Sequence, residues 1–210
     1  MKKYLFIYLF IASLVLLNAC QRQSEVIVQE ENVEYSTAVK SAFSVMEKAV
    51  SANRNLVGSF IVNSLTKGGN SDDAIAYADE LCSGLYSESL FLLEALEFNK
   101  EDVYELFGEN REIDQLSDYD ICGLALFSYS LIKRNGIENI QTKSDVVDCF
   151  LEATGIAAGV AVVGALSGQM IGKAAVKTVL KAVAKIGGKT LGGIGLALMA
   201  AEFTWCMLSD

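Results

Sequence analysis

Five cysteines are the residues whose chemistry first draws attention in this chain, which contains no histidine. Without histidine, Ser-His and Cys-His catalysis are excluded and most zinc and haem sites lose their commonest ligand. Close carboxylate pairs occur at Glu109 with Glu112 and at Asp118 with Asp120. Such pairs are also typical of solvated loops and helix starts, so without a pocket they indicate no acid–base site. We therefore expect no enzyme, no cofactor and no bound metal.

The first cysteine closes an N-terminal segment with the sequence MKKYLFIYLFIASLVLLNAC. A short basic stretch, an apolar stretch at 4–17 and Leu17-Asn18-Ala19-Cys20 follow one another in it. This order resembles the lipobox signal of bacterial lipoprotein precursors. The resemblance implies that 1–19 is a signal peptide and that Cys20 becomes the acylated N-terminus, since two or three acyl chains anchor a protein stably. The alternative is an ordinary signal peptide or a transmembrane anchor that ends in a chance cysteine.

Charge divides the rest of the chain into an acidic and a basic part. Residues 20–150 carry 10 basic and 23 acidic side chains, whereas 151–210 carry five lysines and three acidic residues. The net acidity argues against nucleic-acid binding, which depends on neutralising phosphates. We predict a polar tether at 20–32, an acidic helical body at 33–145 and a Gly- and Lys-rich apolar region at 146–210.

The body reads as a series of helices, because apolar residues recur there at intervals of three and four and no strand pattern competes. Asn99 with Asp102, and Ser117 with Asp120, have the spacing of N-terminal capping pairs. The absence of proline favours long uninterrupted helices. The predicted fold is all-α: an acidic helical body followed by a Gly-rich apolar helical hairpin or three-helix tail.

Glycines recur at short intervals in a charge-free stretch, 153–172, of that tail. As one helix, this stretch would be about 30 Å long, the thickness of a bilayer core. Because glycine weakens a helix, we expect the spacing to serve close helix packing. Gly164, Gly168 and Gly172 also match a glycine zipper, a pattern found in envelope lipoproteins and membrane-active peptides. The predicted packing residues are Gly155, Gly159, Gly164, Gly168 and Gly172.

Five lysines spaced four residues apart follow the glycines, and no acidic residue interrupts them. On a helix they sweep about 160° of one face, with aliphatic residues on the other. This lysine face is typical of a helix at a membrane interface. In the alternative interpretation the three tail helices form a soluble core, and the lysines face water or pair with the acidic body. The predicted membrane or partner contacts are Lys173, Lys177, Lys181, Lys185 and Lys189.

We expect Gly187-Gly188 to end the lysine helix and a third apolar helix to follow, so that the tail runs up-down-up through 146–171, 173–187 and 190–207. An even number of cysteines in the exported chain favours disulfides among the possible residues Cys82, Cys122, Cys149 and Cys206, with buried free thiols as the alternative. In the up-down-up arrangement Cys149 and Cys206 lie at opposite ends, too far apart for a bond. Such a bond would require the first apolar helix to bend near Ser167-Gly168. The sequence therefore favours Cys82–Cys122.

Two functions fit these features. The first is a lipid-anchored, non-enzymatic helical lipoprotein of the bacterial cell envelope, in the outer membrane or on the outer face of the cytoplasmic membrane. It would bind a protein partner, or the membrane surface through its anchor and 146–210. The alternative is a membrane-active toxin whose pore-forming C-terminal segment is masked by the acidic body, similar in character to helical bacteriocins and colicins.

Overall fold

The computed structural model of the protein describes residues 35–58, 71–136, 143–155, 160–166, 172–190 and 192–208. These residues belong to one compact unit, Val33–Asp210. Secondary structure in the described part is helical and includes no strand, which confirms the all-α prediction. The predicted signal peptide 1–19, the tether 20–32 and Cys20 lie outside the described residues.

The described part of the chain is built from a series of helices. They are α1 (Thr37–Ala52), α2 (Ser71–Ala95), α3 (Lys100–Phe107), a 3₁₀ helix (Ile113–Gln115), α4 (Asp118–Gly136), α5 (Lys143–Thr154), α6 (Val160–Leu166), α7 (Gly172–Thr190) and α8 (Gly192–Leu208). A further helical stretch covers 54–58.

Helix α4 lies at the centre of the unit, where it contacts α1, α2, α7 and α8. Its residues 121–132 are buried without interruption, on every side of the helix. Two of its serines are buried with the apolar residues: Ser128 donates a hydrogen bond to Leu124 O at 2.7 Å, and Ser130 donates one to Thr204 Oγ1 at 2.9 Å. A helix that is apolar all round is stable only inside a bundle, which is the place α4 takes.

Helix α8 packs along α4 at unusually short range. A methyl group added at Gly123 would lie 2.9 Å from the carbonyl carbon of Leu196 and 3.0 Å from the backbone nitrogen of Ala197. Only a glycine permits this approach of two helix backbones, as in small-residue helix contacts. This close-packing glycine lies in the predicted acidic body; in the tail, a methyl group added at Gly193 of α8 would lie 2.7 Å from Ser117 Oγ.

Aromatic residues hold the other contacts of this core. Phe127 of α4 stacks on Phe203 of α8 with ring centroids 5.2 Å apart, and Phe43 of α1 stacks on Tyr129 at 5.1 Å. At the end of α8, Trp205 fills the space beside Gly58. The predicted body and tail thus share one hydrophobic core.

The apolar stretch 153–172 is not one helix, so the predicted helix 146–171 is wrong. Helix α5 ends at Thr154 because Gly155 adopts the left-handed conformation, with φ +65°, and its N–H donates to Leu151 O at 2.8 Å. Helix α6 then covers Val160–Leu166, and α7 begins at Gly172. Among the described helices, none combines the length and the apolarity needed to cross a bilayer.

The predicted break at Gly187-Gly188 is also wrong, since α7 continues through both glycines to Thr190. Glycine propensity is a weak prior that packing elsewhere on a helix overrides. Helix α7 contacts α3, α4, α6 and α8, and its buried face carries Val176, Val179, Leu180 and Val183. The third apolar helix of the sequence prediction corresponds to α8.

Candidate functional site: the lysine face of α7 and its contact with α3

The candidate site is the contact between α7 and the short acidic helix α3. A capping box fixes the start of α3, because Asn99 Oδ1 accepts from the Asp102 N–H at 3.0 Å and Asp102 Oδ2 accepts from the Asn99 N–H at 3.2 Å. Gly108 ends the helix in the left-handed conformation, with φ +75°. The predicted capping pair Asn99 and Asp102 is thereby confirmed.

Two lysines of α7 form ion pairs with two carboxylates of α3. Lys177 Nζ donates to Asp102 Oδ1 and lies 3.3 Å from Glu105 Oε2. Lys181 Nζ lies 2.8 Å from the same Glu105 oxygen. Glu105 therefore bridges two consecutive lysines of the lysine face.

Burial separates the contact into an inner and an outer half. The Asp102 side chain is 5% exposed and that of Lys177 25%, whereas Glu105 and Lys181 are 46% and 41% exposed. Val103 and Leu106 of α3 are buried beside them. The inner pair is thus part of the packed structure, while the outer pair lies at the surface, where an ion pair contributes little to stability.

The charges of this cluster stabilise one another. Hydrogen bonds from Lys181 and Lys177 hold the pKa of Glu105 below its ordinary value. The hydrogen bond to Asp102 raises the pKa of Lys177, against the effect of its partial burial. Lys177 and Glu105 therefore both remain charged at neutral pH.

The structure places the predicted lysine residues on one helix and gives two of them a partner within the chain. For Lys177 and Lys181 that partner is the acidic body, as in the alternative interpretation of the sequence. The side chains of Lys173, Lys185 and Lys189 lie outside the described part of the structure. Contact of the lysine face with a membrane or another protein stays a prediction.

Among the predicted packing glycines, Gly155 has a different role. A methyl group added there would meet no atom within 4 Å, so this glycine ends a helix and does not pack between two. Gly159 and Gly168 lie outside the described residues. Gly164 is buried in α6, and Gly172 is the first residue of α7. Their role in packing stays a prediction.

The cysteines pair in the way that the sequence disfavoured. Cys149 of α5 and Cys206 of α8 form a disulfide with their Cα atoms 5.6 Å apart. Because α5 ends at Thr154, Cys149 does not begin a long helix that leads away from Cys206. The predicted Cys82–Cys122 bond is wrong: both are free, buried thiols.

These two cysteines lie at the contact of α2 and α4, where the Cys122 thiol has hydrogen-bond partners on α2. The Cys122 thiol donates to the Cys82 carbonyl at 3.7 Å, and Ser89 Oγ donates to Cys122 Sγ at 3.8 Å. The hydrogen bond with Cys122, together with burial, raises the pKa of the Cys82 thiol. A buried thiol held in its neutral form is a poor nucleophile.

The carboxylate pairs of the sequence have local roles. Ser117 and Asp120 form the predicted cap of α4, with Ser117 Oγ donating to Asp120 Oδ2 at 2.6 Å and accepting from the Asp120 N–H at 3.2 Å. Both glutamates of the other pair form surface ion pairs: Glu112 Oε1 lies 3.9 Å from Lys100 Nζ, and Glu109 Oε2 lies 3.2 Å from Arg111 Nε. The described residues contain no group of three metal-ligating side chains.

Comparisons with protein-family models, with curated proteins and with solved structures found no match to this chain.

Proposed function

We propose that the protein is a non-enzymatic helical lipoprotein of the bacterial cell envelope, anchored through acylated Cys20, which binds the membrane surface or a partner protein through its folded unit. Anchoring is the part of the function that the sequence supports most directly. The folded unit then acts close to a bilayer without having to cross it.

The observation that carries the proposal is the Cys149–Cys206 disulfide. Stable disulfides form in oxidising compartments outside the cytosol. The bond thus favours a location outside the cytosol, as the N-terminal signal does, although the two features lie at opposite ends of the chain. Its position inside the helical unit further favours a tail that serves as folded core.

The non-enzymatic part of the proposal is supported by how the buried polar groups are used. Ser128, Ser130 and Thr204 hydrogen-bond within and between α4 and α8. Asp102 caps α3 and pairs with Lys177. Each of these groups has a structural partner, and none is held ready for a substrate.

Metabolic labelling with a palmitate analogue in a bacterial host tests the anchor. The wild-type chain should be labelled and should fractionate with membranes, whereas Cys20→Ser should be neither labelled nor membrane-bound. Cys82→Ser, at a buried thiol, is the matched control and should be labelled like wild type. Unlabelled wild-type protein, or labelled Cys20→Ser protein, would overturn the proposal.

Dye release from anionic vesicles separates this function from the masked toxin. We expect the chain 20–210 carrying Cys20→Ser to cause no release, oxidised or reduced, because α8 lies in the shared core. Release that appears on reduction of the disulfide would instead favour the membrane-active alternative.

A further inference from the structure

Glu105 occupies the outer edge of the contact between α3 and α7. It accepts from Lys181 at 2.8 Å and lies 3.3 Å from Lys177, and nearly half of its side chain is exposed. It takes no part in the capping of α3, which depends on Asn99 and Asp102. A rotation of its side chain would release Lys181 and leave α3 in place.

Asp102, the other carboxylate of the contact, cannot release its lysine by such a rotation and leave α3 unchanged. It is buried, and its second oxygen accepts from the N–H of Asn99. Removing it would leave Lys177 without its inner partner and would remove the half of the capping box in which the Asn99 N–H donates to Asp102. The contact therefore combines one fixed carboxylate with one that solvent ions can replace.

We propose that the lysine face of α7 binds the phosphate groups of an anionic lipid bilayer, and that Glu105 is an internal competitor that occupies this face when no lipid is present. The inference rests on the proposed anchored function for its setting. A phosphate group would replace the Glu105 carboxylate on Lys181, and the apolar face of α7 would stay in the core.

Charge distribution argues for a bilayer as the occupant. Residues 20–150 carry a net charge of −13 and 151–210 a net charge of +2, so an anionic leaflet repels most of the chain and attracts α7. As a flexible chain, the 13 residues of the predicted tether 20–32 would have an end-to-end distance of about 20 Å. The anchored unit would therefore stay close to the headgroups, which raises their effective concentration.

Co-sedimentation with vesicles tests the proposal independently of acylation. The chain 20–210 carrying Cys20→Ser is mixed with phosphatidylglycerol vesicles, and phosphatidylcholine vesicles serve as the uncharged control. Glu105→Gln should bind the anionic vesicles about threefold to fivefold more strongly than the parent chain, the effect of about one additional free lysine near the surface. Adding Lys181→Gln should abolish the gain.

The matched control is Glu101→Gln, which removes one charge from the exposed surface of the same helix and should gain less than Glu105→Gln. Circular dichroism should show that every variant keeps its helical content. Equal binding by Glu105→Gln and Glu101→Gln, or a gain that survives Lys181→Gln, would overturn the proposal. Because Cys20 is serine in all of these chains, either result leaves the labelling test of the anchor unaffected.

Discussion

Helices α7 and α8 come from the same Gly-rich region of the sequence but have different places in the molecule. Helix α8 contacts α2, α4, α5 and α7, and Leu196, Ala197, Ala200 and Phe203 are buried in the core. In helix α7 the described buried residues lie on its aliphatic face, and Lys177 and Lys181 contact α3. The difference shows that the distribution of apolar residues around a helix decides between core and surface, while the overall composition of a region does not.

The largest expected effect concerns the disulfide that fixes α8. Cys149→Ser should lower the free energy of unfolding by about 4 kcal/mol, because the bond joins residues 57 positions apart and restricts the unfolded chain. Urea denaturation followed by circular dichroism measures the loss. A reductant should destabilise the wild type equally and leave Cys149→Ser unchanged. If the reductant lowers both midpoints alike, the bond does not stabilise the fold.

The next effect tests the close approach of α4 and α8. Gly123→Ala should cost about 2 kcal/mol, because its methyl group would meet backbone atoms of α8 and force the helices apart. Gly84→Ala in α2 is the control: the nearest atoms there belong to the Asn53 side chain, and the better helix propensity of alanine should offset the contact. Equal denaturation midpoints for the two variants would contradict the close approach.

A smaller effect is expected at the contact of α7 with α3. Asp102→Ala removes the inner ion pair and the capping-box hydrogen bond from the Asn99 N–H, and we expect a loss of about 1–2 kcal/mol in the free energy of unfolding. Glu101→Ala, one residue earlier on the exposed surface, should change it by less than about 0.5 kcal/mol. Comparable losses for both would mean that α3 contributes only helical propensity.

The smallest effects are changes in stability with pH, which should have opposite signs at Glu202 of α8 and at Glu105, the α3 residue that contacts α7. Burial, and then repulsion from Glu152, raise the pKa of Glu202 on α8. Its charged form therefore destabilises the folded state above that pKa, and Glu202→Gln should raise the denaturation midpoint at pH 7. The difference from wild type should shrink as the pH falls toward the carboxyl range.

Glu105 should behave in the opposite way, because its lysine partners lower its pKa. Its contribution is stabilising above the unfolded pKa and is lost as the pH falls through the folded pKa. Glu105→Gln should thus lower the midpoint slightly at pH 7 and match the wild type in acid. Denaturation curves from pH 7 to pH 3 measure both variants. Shifts of the same sign would remove the electrostatic distinction between the helices.

The starts of helices were predictable because their signal is local. Asn99 with Asp102 and Ser117 with Asp120 needed only three-residue spacing, and the structure has both caps. The break at Gly155 was missed because an apolar run does not show which glycine takes a positive φ. The break expected at Gly187-Gly188 failed for the complementary reason, since glycines also remain in helices that packing stabilises.

Of the candidate site, only the lysine face could be predicted from the sequence. The partners of Lys177 and Lys181 lie on α3, 75 positions from Lys177 in the case of Asp102, and no local spacing encodes that pairing. Gly123 carried a weak signal, a single glycine inside an apolar helix, which indicates close backbone contact when a partner helix is known. The disulfide depended on the same long-range arrangement of helices.

The pairing of α4 with α8 has a consequence for how the chain matures. The hydrogen bond from Ser130 to Thr204 joins positions 74 residues apart, and contacts so distant in sequence slow folding because a long loop must close first. Until 192–208 emerge, the groove beside Gly123 has nothing to fill it and the bundle lacks its central pair. The contacts between α4 and α8 that complete the core therefore become possible only after 192–208 have been synthesised.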